Sequence, residues 1–437
     1  MRLVERNLLI VVSFVSFTAF IIIDIAARGY FSAVGILIPL ILSLIFIAMH
    51  YAVGKYRPTA EQLLLPAAAL LTSVGVAMIY RLTGGVGALQ QTLWVAISAL
   101  LVIVILIKLP NTRSLLRTPL VFMVAGLILL ALPFLPFIGA TINGATLWLR
   151  IGPISVQPAE FAKVVLIIGF AGYLAKHQTQ LTFIYRKFVG VELPRPKDIL
   201  PLLLLWGVSL LLLIGQRDLG TSLLFFSAAV LLLYVTTARR TWLIIGGVLL
   251  VFGGALAALI FDHVERRFSI WLNPFADIAG DGFQVVQAIY GLAAGGVFGT
   301  GLGQGNPNLI PYVESDFIFT AIAEELGLVG ASAIILLYGL IIANAVKTAG
   351  RMRSSGNMLI ASGIAIFIFL QVLITIGGVT GALPLTGLTT IFLSAGGSSL
   401  VASWILIALL LVLQDQDRVV TNVSTDLSDD QTRSIQL

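Results

Sequence analysis

Eight carboxylates, two arginines and a histidine crowd the stretch from Asp262 to Glu325 of this 437-residue chain, which elsewhere reads as nearly unbroken apolar helix. Crossing a bilayer does not require such a stretch, so its charge is expected to serve chemistry. WLNPFADIAGDG sets Asp277 and Asp281 in a turn-rich segment beside Trp271 and Phe275. A carboxylate there is either a solvated loop residue or, partly shielded by its apolar neighbours, a base. Glu314 and Asp316 stand just before an apolar run, and Glu324 and Glu325 fall about two turns inside it, where they must face a cavity or a cation. Upstream, QPAEFAK places Pro158 at a helix start, Glu160 in its first turn and Lys163 three residues on, along the same face. That pair reads either as a packing salt bridge or as a polar funnel. Arg150 is an outer cation able to bind an acidic headgroup or pyrophosphate. In GQRDLGTS, Asp218 can cap the following helix, and Arg217 beside it calls for a partner. His263 is a base on paper with nothing to pair it. Three scattered histidines and no cysteine argue against a zinc site. The run GGVFGTGLGQG lacks the GKS or GKT of a phosphate loop and reads as close packing or a re-entrant turn.

The elements that position these groups follow from composition. Hydrophobic residues make up 59% and charged residues only 11%, against roughly 25% charged in soluble domains. Many apolar runs reach the ~20 residues that cross a hydrocarbon core, and the short alternating segments of a β-barrel are absent. The expected fold is an all-α polytopic membrane protein of about twelve spans, near 8–24, 30–50, 62–80, 89–109, 119–138, 158–175, 199–214, 219–237, 242–261, 317–343, 357–377 and 388–412. The opening run lacks a small-residue cleavage site and is kept as a helix. With the N-terminus inside, 19 basic residues fall on the cytoplasmic side and six outside, so both termini are expected to be cytoplasmic and the 262–316 loop external. The net charge of +6 then reflects topology rather than nucleic acid. LTFIYRKFVGVEL reads either as an interfacial amphipathic helix or as a connector anchored by Tyr185 and Arg186. Small residues around Pro384 break the helix pattern, which membranes tolerate where backbone lines a cavity. The tail 414–437 is expected to be disordered. No internal repeat marks an inverted-repeat transporter.

Five motifs, in this order, carry a resemblance: GATLWLRIGPISVQPAEFAK, QRDLGTS, RRFSIWLNPFADIAGDGFQVVQAIYGLAAGGVFGTGLGQG, ESDFIFTAIAEELGLVG, and GALPLTG with GGSSL. Together the chain resembles the SEDS family of shape, elongation, division and sporulation proteins (RodA/FtsW/SpoVE-like) over about residues 60–415. The resemblance implies a ten-helix catalytic membrane domain at 59–413, preceded by two extra helices at 1–58. It implies a peptidoglycan glycosyltransferase that polymerises lipid II at the outer face of the cytoplasmic membrane, working with a class B penicillin-binding protein and other membrane proteins of the elongation or division complex. It makes Asp277, in NPFAD, the essential outer aspartate. Glu160 and Lys163 become the polar cavity pair, and Asp218 the polar residue before a helix. Cations for the leaving pyrophosphate are then Lys163, Arg150 and Arg217, with a divalent ion (Mg or Mn) able to assist. Two departures stand out: Ala159 replaces the usual serine, and LTTIF at 388–392 replaces the usual PLPF. The extra N-terminal pair and short tail lean towards the elongation branch rather than the septal one. A lipid II flippase and a non-enzymatic scaffold are the competing classes.

Overall fold

The computed structural model describes residues 2–142, 144–152, 154–182, 186–188 and 191–435. Among these, helices α1 (Leu3–Ile23) and α2 (Ala33–Tyr56) form an N-terminal hairpin, joined through a π-helical turn at Asp24–Arg28. The hairpin packs on α3 (Leu64–Lys108). Then come α4 (Arg113–Arg117), α5 (Pro119–Ala131) and a three-stranded antiparallel ribbon of β1 (Gly139–Ile142), β2 (Ala145–Ile151) and β3 (Ile154–Val156). After α6 (Pro158–Lys176) and α7 (Gln178–Thr182), strands β4 (Arg186–Phe188) and β5 (Val191–Leu193) pair antiparallel. The chain continues through α8 (Pro196–Gly215), α9 (Leu219–Thr237), α10 (Thr241–Ile260), α11 (Asp262–Leu272) and α12 (Phe283–Gly295). It closes with α13 (Ile318–Arg351), α14 (Ser355–Val379) and α15 (Gly397–Ile435).

Ten of these helices are long and apolar enough to cross a membrane. The chain is therefore an all-α, multi-pass membrane protein, with the two β ribbons as small additions. Lipid is the natural cover for α10, which buries only Trp242 and Gly246 and exposes Val251, Phe252 and Leu259. By contrast α14 and α15 are buried along most of their apolar length and form the centre of the bundle. Twelve apolar runs become ten long helices for two reasons. The runs at 62–80 and 89–109 are continuous as α3 except at Gly84, whose φ of 78° only glycine adopts without strain. The run at 119–138 yields only the short α5, which gives way to a 3-10 turn at Leu132–Phe134, where Pro133 lacks the N–H to continue it.

Straight, α3 would measure roughly 68 Å. Its two ends instead lie together. Arg57, at the end of α2, donates to the carbonyl of Leu106 at 3.2 Å, whereas Tyr80 reaches Asp24 and Ser32 at the far end of the hairpin, each at 2.6 Å. The chain reverses at Gly84.

In the segment expected to be either an interfacial amphipathic helix or a connector, the described residues Arg186–Phe188 and Val191–Leu193 pair antiparallel as β4 and β5, and Tyr185 lies outside the described residues. The inter-span stretch 262–316 carries helix of its own, through α11, a 3-10 turn at Pro274–Asp277 and α12.

The glycine run after α12 makes a backbone-to-backbone seam with α13. Thr300 and Gly301 donate to the carbonyls of Glu324 and Glu325 at 2.9 and 3.0 Å, and Leu328 donates to Gly296 at 3.0 Å. α13 breaks at Gly327, with φ 67°, where an added Cβ would stand 2.3 Å from the Gly299 nitrogen. Gly327→Ala is therefore expected to lower the thermal unfolding midpoint of the purified protein by the equivalent of about 2 kcal/mol or more. Gly339→Ala, in the same helix with nothing within 4 Å of its added Cβ, is expected to leave the midpoint unchanged or raise it.

Candidate active site

Between α14 and α15 the chain runs from Thr380 to Gly396 without helix, yet Leu388, Thr390, Phe392, Leu393 and Ser394 are buried. Backbone without a ladder needs other partners when water is excluded. Side chains from across the fold supply them. Arg267 donates to the carbonyls of Leu385 (3.2 Å) and Thr386 (2.7 Å), Gln371 to Thr389 (2.9 Å) and Gln91 to Ser394 (3.2 Å). Trp271 donates its indole N–H to Gly381 at 2.9 Å, and the buried Tyr338 hydroxyl donates to Ile391. From the other direction, the Ala395 N–H reaches the Glu314 carbonyl at 2.8 Å. The expected break around Pro384 is present, and it runs further than the glycines alone indicated.

This segment is one wall of a cavity of about 340 Å³ whose other walls come from α11, α12 and the approach to α13. Arg266, Arg267, Asp281 and Asp316 carry its charge, with His263 beside them. Arg267 and Asp316 converge on Gly387, where a methyl group would lie 3.8 Å from Arg267 Nη2 and 3.7 Å from Asp316 Oδ2. Burial pushes the Asp316 carboxyl up to about 6, opposed by the Ser315 hydroxyl and the Arg267 charge. Burial also lowers Arg267 from the usual guanidinium range, while Asp218 and Asp316 hold it up. His263 is lowered by burial and by the positive charges of Arg267 and Arg217, so it favours the neutral ring. A second cavity of about 610 Å³ adjoins, sharing His263 and Arg266 and adding Arg217 and Asp262. Together the two cavities gather three arginines, Arg217, Arg266 and Arg267, against three aspartates, Asp262, Asp281 and Asp316, and the guanidinium groups are what can hold a phosphorylated group.

Deeper polar groups stand beneath. Glu160 and Lys163 pair at 2.6 Å, and Lys163 donates to Gln371 at 3.0 Å. All three side chains are buried. Since Gln371 also holds Thr389, the pair is wired to the unwound segment. Asp218 caps α9 by accepting the Thr221 N–H at 2.9 Å, and its other oxygen has no hydrogen-bond partner. Burial raises its carboxyl, with Glu160 adding to the effect and Lys163 opposing it. Asp218, Glu160 and Lys163 thus form one electrostatic group.

The other sequence candidates are dispersed. Asp277 lies in the 3-10 turn after α11, exposed, with Oδ1 accepting the Gly280 N–H at 3.0 Å and Oδ2 the Asp281 N–H at 3.1 Å. Trp271 and Phe275 do not enclose it; Trp271 turns to Gly381 and Phe275 to Tyr290. Asp277 stands at the cavity's margin rather than in its lining, where Asp281 takes a place and pairs with Arg266 at 3.1 Å. Arg217, at φ 61°, is exposed beside the β1–β2 turn, and Arg150 is exposed on β2. Glu324 and Glu325 do not reach these cavities. Glu325 pairs with Arg81 at 3.1 Å and accepts the Gly303 N–H at 2.8 Å, while Glu324 accepts the Asn306 N–H at 2.6 Å, so both grip the glycine run. No three His, Asp or Glu side chains among the described residues come together as ligands. The sequence reading passed over Arg267 and Gln371. The signal for Arg267 was present in the paired arginines of RRFSIW; Gln371, a lone polar residue inside an apolar run, offered only the rule that such residues find partners.

Breaking the buried pair tests its wiring. Lys163→Met leaves Glu160 stranded and is expected to destabilise the purified protein by roughly 3–5 kcal/mol in thermal or denaturant unfolding. Combining it with Glu160→Gln is expected to recover much of that loss.

The FtsW/RodA/SpoVE model, described as a cell cycle protein, matches residues 61–419. The peptidoglycan glycosyltransferase RodA of Mycobacterium bovis is 39% identical over 376 residues, spanning 84% of this chain and 80% of that protein. A chain from a structure described as showing coordination of polymerization and crosslinking by a peptidoglycan synthase complex superposes with a TM-score of 0.67 at 25% identity, covering 82% of this chain and 98% of its own. A point mutant of the Thermus thermophilus rod shape determining protein RodA superposes with a TM-score of 0.60 at 25% identity, covering 81% and 97%.

Proposed function

We propose, for a chain that belongs to the FtsW/RodA/SpoVE family of cell cycle proteins, that the arginine-lined cavities around Arg267 receive the pyrophosphate end of its lipid-linked substrate. The chain is a peptidoglycan glycosyltransferase acting on lipid II for cell-wall synthesis. The observation that carries the site reading is the convergence of Arg217, His263, Arg266 and Arg267 on two adjoining cavities beside exposed apolar helix. A pyrophosphate can accept hydrogen bonds from the three guanidinium groups, with the neutral His263 ring beside them, while its polyprenyl tail lies along the apolar flank of α10. In the reaction, a sugar 4-hydroxyl oxygen bonds to the anomeric carbon as the bond from that carbon to the pyrophosphate oxygen breaks. The hydroxyl proton passes to a base, and the arginines balance the charge left on the pyrophosphate.

Asp277 is the proposed base. Each of its oxygens accepts one backbone N–H and keeps another acceptor site free, so the carboxylate is oriented without being used up. The exposed cation Arg150 suits an approaching acidic group. Glu160, Lys163 and Asp218 form the polar floor, and Asp316 steadies Arg267. Glu324 and Glu325 act through the glycine run they hold.

The finer topology is twelve crossings, with α3 counted twice and α5 as a short span. Arg2, Arg57, Leu109 and Asp415 share one end of the bundle, supporting termini on one side. The loop charge bias makes that side cytoplasmic and the Arg267 cavity external. Similarity to RodA proteins favours elongation over septal synthesis. The solved synthase complex supports a cross-linking class B penicillin-binding protein as partner.

Purified protein supplied with lipid II tests the assignment. Asp277→Ala is expected to reduce polymer formation by about 10²–10⁴-fold with little change in thermal stability, since Asp277 is exposed. Retained polymerisation removes Asp277 as base; headgroup translocation in vesicles without polymer by the unaltered protein points to a flippase, and partner binding alone to a scaffold. The pH profile tests Asp316. Its carboxyl ionises as pH rises through about 6, so polymerisation is expected to fall below that pH as the charge facing Arg267 is lost. Asp316→Asn is expected to abolish that limb.

A further inference from the structure

At the end of the bundle away from Arg267, a cavity of about 440 Å³ opens between α1 and α2. The two ends are distinguished by α14, which starts beside the Asn357–Thr112 bond and ends near the Trp271–Gly381 bond. Arg2, Arg6, His50 and Lys55 line this cavity, with Leu3, Tyr51 and Gln62 among its other walls. It lies almost wholly before the family-matched residues 61–419, and the reaction has no use for it.

Its charge is not cancelled from within. Glu5, the acidic side chain on the facing helix, is buried, with one oxygen on Arg2 Nη2 at 2.5 Å and the other 2.6 Å from His50 Nδ1. Arg2 is buried as well and fixed by the carbonyls of Arg57, Pro58, Ala60 and Glu61, so it is a rigid cation in the wall. Arg6 and Lys55 are exposed, and among the described residues neither has a carboxylate partner. One held cation, Arg2, and two exposed ones, Arg6 and Lys55, therefore surround the opening, and the one carboxylate, Glu5, is already engaged with Arg2.

The surroundings decide what kind of anion fits. The rim carries exposed Leu3, Val4 and Tyr51, and the adjoining outward faces of α1 and α2 expose Ile10, Phe14 and Leu44. A cationic pocket opening onto apolar helix faces is matched by a molecule with a phosphate at one end and hydrocarbon at the other. We propose that this cavity binds the phosphate-bearing headgroup of an anionic phospholipid, with its acyl chains lying along α1 and α2. The extra helical pair then has a binding function of its own, separate from the polymerase site.

Native mass spectrometry of the full chain in detergent, titrated with phosphatidylglycerol or phosphatidylcholine, tests this. Phosphatidylglycerol is expected to be retained in preference. Arg6→Ala with Lys55→Ala is expected to weaken its retention on the order of tenfold, and Arg6→Lys with Lys55→Arg to preserve it. Both side chains are exposed, and unchanged melting of the variants verifies that they fold. Equal retention of phosphatidylcholine, or undiminished phosphatidylglycerol retention in the double alanine variant, overturns the proposal. Displacement of phosphatidylglycerol by inorganic phosphate also overturns it, marking a soluble anion as the occupant.

Discussion

Of the seventeen residues of non-helical backbone from Thr380 to Gly396, Leu388 and the run Thr390–Ser394 are buried in the protein, and their peptide groups cannot be left bare. This requirement draws much of the fold inwards. Arg267 comes from α11, Gln91 from α3, Gln371 from α14, Tyr338 from α13, and the Glu314 carbonyl from the approach to α13. Each is placed by its own helix, yet each meets the same strip of chain. The site inherits its geometry from that strip: the arginine that holds two carbonyls is also the cation facing Asp316. Binding chemistry and backbone satisfaction use the same guanidinium.

The long spans were legible because apolar length is a one-dimensional signal. The 199–214 and 219–237 runs separate as α8 and α9, with Asp218 capping the second, as its position suggested. The Glu160–Lys163 pair was legible for the same reason, since three residues of helix bring two side chains together. Reading failed where partners are distant in sequence. Nothing near Glu325 announces Arg81, 244 positions away. Nothing near Arg267 announces the carbonyls of Leu385 and Thr386. The β1–β3 ribbon was missed because strands of three to seven residues between apolar runs look like any polar connector.

Asp277 and Arg267 show the two routes to a site. Resemblance selected Asp277 from eight carboxylates, and geometry alone would not have, since the residue is exposed and occupied with its own turn. Geometry selected Arg267, which the sequence reading had passed over. The departure at LTTIF also becomes intelligible. Thr389 and Ile391 offer their carbonyls, and Thr390 offers its N–H to Ser394 Oγ at 2.8 Å. Much of the hold on the segment is through main-chain atoms, with the Thr389 hydroxyl donating to Ser399 Oγ at 2.8 Å and Phe392 packing edge-on against Trp404.

The glycine seam between α12 and α13 has a mechanical consequence. Most contacts inside a bundle pass through side chains, which rotate and absorb small displacements. At Gly299 and Gly327 main chain rests directly on main chain, with no compliant layer between. The seam therefore works as a hard stop. Gly303, a few residues on, sits against Ala26 and Ala27 of the N-terminal hairpin, so a shift of α13 is passed on to that hairpin rather than dissipated.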